Sequence, residues 1–491
     1  MNRVFAGLII PAILVQYQKA FSQEVKKLTL DEVIKIAEDQ SPNALMAKNQ
    51  FQASYWEFRS YQAQFRPSLS LNGTLPGFMN APERVYKNGE FQFVQVNEFN
   101  NLGTLSLAQS IGFSGTTISL YSKLEHTYNF DTDLRQYDVN PFNIEVDQPI
   151  RKYNTLRWQT KTEPLKYETA KKTFLSNIEG VHSSAIQNFF ALALAQINKE
   201  IAVMDLSNAD TLYRIAKGRY NLGTIAEEDL LQMQLSYLNA ETEIKQADMN
   251  LRDKEIRLRS FLGYNEGVRI ELVLPDKVPD LQVSTSEVLN LAMQNNPEIL
   301  NERLTILTAQ SNVAQAKALK GLNASLSAVL GYDQSASAVQ PALNDLLKTE
   351  TINLTFSVPI LDWGKGKGNY LMALSNLKLA QVQEQQALVD FQQNLFLDVE
   401  QFNLQKEQVE IAAKSDTVAM RMFEVAKQRF MIGKIAILDL NNADSQKTLN
   451  RVAYVQALEN YWTYFYTIRS LTLYDFIKRE PIETDYEKLL K

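Results

Sequence analysis

Two long proline-free spans constrain this chain more than any other feature: no proline falls between Pro164 and Pro275, and none between Pro359 and Pro481. Proline breaks helix interiors, so its absence alongside helical apolar spacing leaves room for very long helices. In the second span Leu388, Phe391, Leu395, Val399, Phe402 and Val409 step by three or four, with one position skipped. A helix from about Lys367 to Phe430 would run on the order of 95 Å at 1.5 Å per residue. Each span also holds one reversal. Arg429-Phe430-Met431-Ile432-Gly433-Lys434-Ile435-Ala436-Ile437-Leu438-Asp439-Leu440 contains the only glycine between Gly368 and the C-terminus. Arg219, Tyr220, Gly223, Ile225, Ala226, Asp229 and Leu230 repeat its pattern 210 positions earlier. A lone glycine between helical stretches reads as a left-handed helix C-cap, where the chain turns back.

The duplication extends to the start of each half. Thr29 and Glu32 form a capping-box pattern, followed by Val33, Ile34 and Ala37 on one helical face and then by Pro42. Glu287, Val288, Leu289, Ala292 and Pro297 fall in the same places 255 positions on. Two duplicated anchors in one order make an internal repeat. After each opening helix pair comes alternating, strand-like sequence: Ser68–Leu75 and Phe142–Ile150 in the first half, Asn323–Leu330 and Thr351–Ile360 in the second. The first half has an extra section, 101–130, where Thr104–Ile111 and Thr116–Leu124 alternate around a turn from Gly112 to Gly115. Its place, within the same sheet or beside it, stays open, as does the loop around Pro76–Glu98.

These boundaries divide the chain into a cleavable leader at 1–22, a first repeat at 23–275 with its tip at 219–229, a second repeat at 276–476 with its tip at 429–439, and a polar, loose tail at 477–491. The leader rests on Arg3, the apolar run Val4–Val15 and a small-x-small site at Ala20-Phe21-Ser22. That run is too short for a spanning helix, which needs about 20 residues.

Composition removes several functions. The formal net charge is −6, with no basic face for nucleic acid. Cysteine is absent, which excludes disulfides and thiol chemistry, and the two histidines, His126 and His182, lie in different segments. No cofactor or metal site and no catalytic constellation stands out, so the chain does not read as an enzyme. Gly364-Lys365-Gly366-Lys367-Gly368 lacks the spacing of a phosphate loop and reads as a flexible basic rim. Trp158 and Trp363 each follow a Pro-Ile that closes a strand. Core packing and an aromatic girdle at a bilayer interface are the two readings, and the matched positions favour the girdle.

The duplicated opening, Val358-Pro359-Ile360-Leu361-Asp362-Trp363-Gly364 and the two tips together resemble the TolC-type outer-membrane efflux protein family over nearly all of the chain after the leader. The resemblance implies a mainly α fold with a membrane β-barrel portion, an internally duplicated helix–β-hairpin–long helical hairpin. It implies a homotrimer in which each copy gives four strands to a 12-stranded β-barrel, continued by a periplasmic α-barrel. The implied function is an exit duct in the outer membrane of a Gram-negative bacterium. Its implied partners are outer-membrane lipid, a periplasmic adaptor (membrane fusion) protein and an inner-membrane pump of the RND or ABC class. Matching position by position puts Asp439 and Asn442 at the periplasmic gate, Asn442 replacing an acid. Phe430 stands where some members carry a latch tyrosine, and Ile435 where they carry an arginine. The adaptor-contact tips are Arg219, Leu222, Gly223, Arg429, Ile432 and Gly433. The alternative reading is a non-conducting periplasmic coiled-coil scaffold.

Overall fold

The computed structural model describes residues 25–87, 89–264 and 268–490. The leader expected at 1–22 lies outside them. In chain order the elements are β1 (Val25–Thr29), α1 (Leu30–Gln40), α2 (Pro42–Ala63), β2 (Ser68–Lys87), β3 (Glu90–Ile111), β4 (Thr116–Asn129), β5 (Leu134–Arg151), α3 (Thr155–Asn221) and α4 (Glu227–Leu262). They continue as β6 (Arg269–Val273), α5 (Thr285–Asn295), α6 (Pro297–Leu319), β7 (Asn323–Ala336), α7 (Val339–Ala342), β8 (Leu347–Ser357), α8 (Lys365–Met431) and α9 (Ile437–Thr472). Lengths repeat between the halves. α3 and α8 each have 67 residues, α4 and α9 each have 36, and α1 and α5 each have 11. The capping box forms as spaced: Glu32 N donates to Thr29 Oγ1, and Thr29 N donates to Glu32 Oε2 at 2.8 Å. No described helix is long and apolar enough to cross a membrane.

The chain folds into two compact units that cut across the sequence repeats. One gathers the residues up to Ala44 with Val181–Pro279 and Lys406–Thr463. Its sheet is a parallel pair, β1 with β6. The side chain of Gln196 bridges β6, donating to Ile270 O at 2.7 Å and accepting from Leu272 N at 3.1 Å. Phe189, Phe190, Leu192, Leu258 and Ile270 are fully buried here. His182, also buried, faces Glu38 at 3.2 Å.

The other unit comprises Leu45–Gly180, Asp280–Gln405 and the chain from Tyr464 on. It holds a six-stranded antiparallel sheet in the order β2-β3-β4-β5-β7-β8. The resemblance implies four strands per chain. The two further ones are β3 and β4, so the section 101–130 enters the main sheet. The stretch 76–98 is not a loop either, because β2 and β3 pair from Gly77↔Asn100 out to Lys87↔Glu90. Pro76 and Pro82 are compatible with this because β2 is an edge strand, where a missing N–H need not break a ladder. Arg469 joins α9 to α3 through Glu179 (2.9 and 3.0 Å) and also binds Asp475 at 2.7 Å, all three largely buried. The tail is docked, not loose: Tyr486 lies 5.2 Å from Phe51, Gln52 donates to Leu489 O at 2.6 Å, and Ile482 packs on the same cluster. Four apolar side chains hidden among charges account for the docking.

Candidate functional site

In the first unit the two reversals meet. Gly223 and Gly433 have φ of 69° and 72°, the left-handed conformation that a side chain would strain. Their N–H groups donate to Tyr220 O and Phe430 O, both at 2.9 Å, and the next residues donate to Arg219 O and Arg429 O. This is the paired capping pattern that closes a helix end. Arg219 then crosses to the other tip. It donates to Met431 O at 2.9 Å and sets its guanidinium 5.7 Å from the centre of the Phe430 ring. Below lies an apolar cluster of Ala216, Met233, Phe423, Phe430, Ile437, Leu440 and Ala443. Phe430 is thus a buried anchor, with no hydroxyl to latch anything.

Around this knot the other candidates point to solvent. Leu222 is 79% exposed and Ile432 66%, and Arg429 is exposed in the last turn of α8. Asp439 and Asn442 are exposed one turn apart on α9, away from buried Leu440 and Ala443. Asp439 sits in the first turn and accepts from Ala436 N at 3.3 Å, so it also serves as a helix-start acid.

Sequence reasoning missed a polar cluster nearby. Lys447 is 4% exposed and donates to Asp444 at 2.6 Å and to Asp205, on α3, at 3.1 Å, with its ammonium 4.2 Å above the Phe423 ring. Burial alone would lower the Lys447 pKa. The hydrogen bonds and charges of Asp444 and Asp205 outweigh it and hold the ammonium above the usual lysine value. Burial raises Asp205, Asp444 adds to the rise and Lys447 opposes it. Both values rise, which favours the charge on Lys447 and disfavours it on Asp205, because one cation serves two carboxylates and the ammonium, held by both, is the securely charged member. The signal was available: Lys447 continues the stripe Leu440, Ala443 at helical spacing.

In the second unit, the strand-to-helix junctions carry the tryptophans. Trp363 is 90% exposed with φ 54°, and neighbouring Ile360 and Leu361 are also bare, so core packing does not describe it. Trp158, partly buried on the first turn of α3, carries Lys161 over its ring at 4.8 Å. The Gly-Lys run is the start of α8, not a flexible rim. The Asp362 carboxylate accepts from Gly364 N at 2.9 Å and Gly366 N at 2.8 Å, taking the donors a phosphate would need.

The sheet separates its faces. Leu69, Leu107, Leu120, Ile144 and Leu330 are opposite one another across five strands, and all five are exposed. Ile118, Val146, Ala328 and Ile352 form the next apolar row. The other face reads Ser70, Ser106, Tyr121, Asn143, Gly331 and Thr349 across all six. Apolar rows bare to the outside with a polar reverse are the pattern of a sheet wet on one face and in lipid on the other. Exposed apolar residues also run along α8 at seven-residue intervals: Val382, Val389 and Phe396 in this unit, and Ile411, Val418 and Val425 in the first. A seven-residue period is that of a seam for a further, supercoiled helix.

Long helical hairpins with left-handed glycine tips, and a sheet with one apolar and one polar face, define the architecture. A family description, outer membrane efflux protein, matches residues 104–264 and 288–472, and the chain belongs to that family. The fold is shared with the Campylobacter jejuni CmeC outer membrane channel (16% identity, 94% of this chain and 88% of that one, TM-score 0.66). It is shared also with the Vibrio cholerae outer membrane protein VceC (15%, 92% and 97%, TM-score 0.61). A third is the open state of the Neisseria gonorrhoeae MtrE outer membrane channel (15%, 93% and 91%, TM-score 0.53). At these identities the likeness is one of fold. No curated protein matches the sequence.

Proposed function

We propose that the chain is a passive exit duct, a homotrimer whose sheets pool into a barrel in the outer membrane and whose helical hairpins continue it through the periplasm. It would work with a periplasmic adaptor and an inner-membrane pump of the RND or ABC class. The observation that carries this reading is the sheet: an exposed apolar belt on one face, a polar face behind it and two unpaired edges. Open edges in hydrocarbon leave backbone groups unsatisfied at several kcal/mol each, so such a sheet must close with other copies. A soluble scaffold has no use for the belt, which disfavours that alternative. The repeats 23–275 and 276–476 then act as two pseudo-equivalent staves, with the tips as the adaptor contact and Trp158 and Trp363 at the membrane interface.

Asp439 and Asn442 are the proposed gate. Copies of Asp439 around a pore axis would form a ring of negative charge favouring cations. Planar-bilayer recording tests both levels. Cation-preferring conductance is expected, weakened by Asp439→Asn. Conductance with unchanged preference removes Asp439 from the gate, and a protein extracted in soluble form without conductance removes the duct.

A further inference from the structure

We infer that β3 and β4 belong to the barrel wall, so that β8 of one copy pairs with β2 of the next and three copies close an eighteen-stranded barrel. The inference rests on the trimeric duct proposed above and departs from the four strands per chain that the resemblance implies.

Three features carry it. First, β3 and β4 are interior strands of one continuous antiparallel sheet, between β2 and β5, leaving only β2 and β8 with open edges. Second, both rows of side chains pass through them without interruption. Leu107 and Leu120 complete the apolar belt, while Ser106 and Tyr121 complete the polar row. A flap lying outside the wall would have no reason to match both.

Third, the β3–β4 turn is built into the strand-to-helix junctions. Asn154 donates to Gly112 O at 3.0 Å while its own Oδ1 accepts from Arg157 N at 3.0 Å, capping α3. Gln109 donates to Phe65 O just after α2, and the Phe65 ring packs so closely that a Cβ on Gly112 would stand 2.6 Å from it. The foot of the extra hairpin is therefore held by the junctions of both flanking helices.

The occupant of each free edge is a second copy of this chain. β2 leaves α2 and β8 returns toward α8, so β8 beside a neighbour's β2 continues the antiparallel alternation. Their exposed apolar side chains, Ile352 and Leu354 on one and Leu69 and Leu71 on the other, extend the belt. With strands about 4.8 Å apart and tilted about 40°, eighteen strands enclose a backbone diameter of about 36 Å, against about 24 Å for twelve. Barrels of that strand number leave an open aqueous channel, so any constriction would have to lie elsewhere.

The test is electron cryomicroscopy of the full chain in lipid nanodiscs with a mass measurement of the same particles. Three copies and eighteen strands, with β8 against a neighbour's β2, are expected. Three copies around a twelve-stranded wall, with β3 and β4 outside it, overturn this inference and leave the duct intact. Two copies closing twelve strands overturn it as well, whereas an unassociated monomer removes the duct reading itself. Because the chain has no cysteine, nitroxides at Leu107→Cys, Leu120→Cys, Ser106→Cys and Ser119→Cys give a second readout in vesicles. Oxygen should relax the leucine sites preferentially and a water-soluble nickel chelate the serine sites; equal response at all four overturns the placement.

Discussion

Lys447 offers the sharpest test of what holds the tip region together. Replacing it with methionine keeps most of the volume and removes the cation shared by Asp205 and Asp444. The Asp444 side chain is 35% exposed and can rehydrate, but that of Asp205 is only 19% exposed and loses its cation. Removing one partner of a buried ion pair costs about 3–5 kcal/mol, and the exposure of Asp444 places this case at about 3 kcal/mol. At about 1.4 kcal/mol per decade that is roughly a 100-fold loss of protection. The assay is native-state hydrogen exchange on the assembled protein, read at the amides around Phe423–Lys427 and Leu440–Asp444. Adding Asp205→Leu removes the stranded carboxylate and should restore protection to within about tenfold, since well-packed apolar replacement of a buried pair is near neutral. Because the folded pKa of Lys447 is raised, its contribution is complete below the ordinary lysine value and is lost as pH rises through the folded one, which puts neutral conditions safely inside the stable window. Unchanged protection in Lys447→Met, or a double variant as loose as the single one, would refute the reasoning.

Other consequences can be checked separately. Leu120→Arg places a charge in the apolar belt and should cost about 2–4 kcal/mol near the bilayer midplane, depleting heat-modifiable protein from outer-membrane fractions. Ser119→Arg, on the polar face, should not, and equal depletion by both would contradict the assignment of faces. Arg469→Met removes the cation shared by Glu179 and Asp475, whose side chains are 1% and 7% exposed, and should lower the thermal midpoint of helical circular dichroism by an amount equivalent to about 3–5 kcal/mol. Arg469→Lys should recover only part of that loss, because lysine cannot reproduce the two-pronged contact with Glu179; full recovery would show that charge alone matters. Gly433→Val forces a β-branched residue into φ 72° at a strain of at least about 1–2 kcal/mol, so limited proteolysis should cut faster at that tip, and an unchanged rate would mean that the conformation is not required.

The long helices were legible because their signals are local and redundant. The expected Lys367–Phe430 helix is Lys365–Met431, and the alternation of Thr104–Ile111 and Thr116–Leu124 marks two real strands. Their place in the sheet was not legible, since alternation fixes a strand's faces but not its neighbours. β2 was obscured by Pro76 and Pro82, which signal a loop unless the strand is known to lie at an edge. The tail misled through its charges, which outnumber Ile482, Tyr486, Leu489 and Leu490 yet do not decide where they pack. At the tips, Gly223 and Gly433 announced the turns, but the grip of Arg219 on Met431 O is a contact between distant segments with no local trace. Lys447 escaped for a different reason. A charge on a helix is ordinarily solvated, and only its step from Ala443 hinted otherwise.

The parallel pairing of β1 with β6 bears on the order in which the polypeptide matures. Val25–Thr29 aligns with Arg269–Val273, which lies beyond the whole of α3 and α4. A strand emerging early from a translocation pore would therefore wait, unpaired and sticky, until an entire hairpin had followed it. Such long-range closure is slow, and the delay opens an interval in which a periplasmic holdase would be useful.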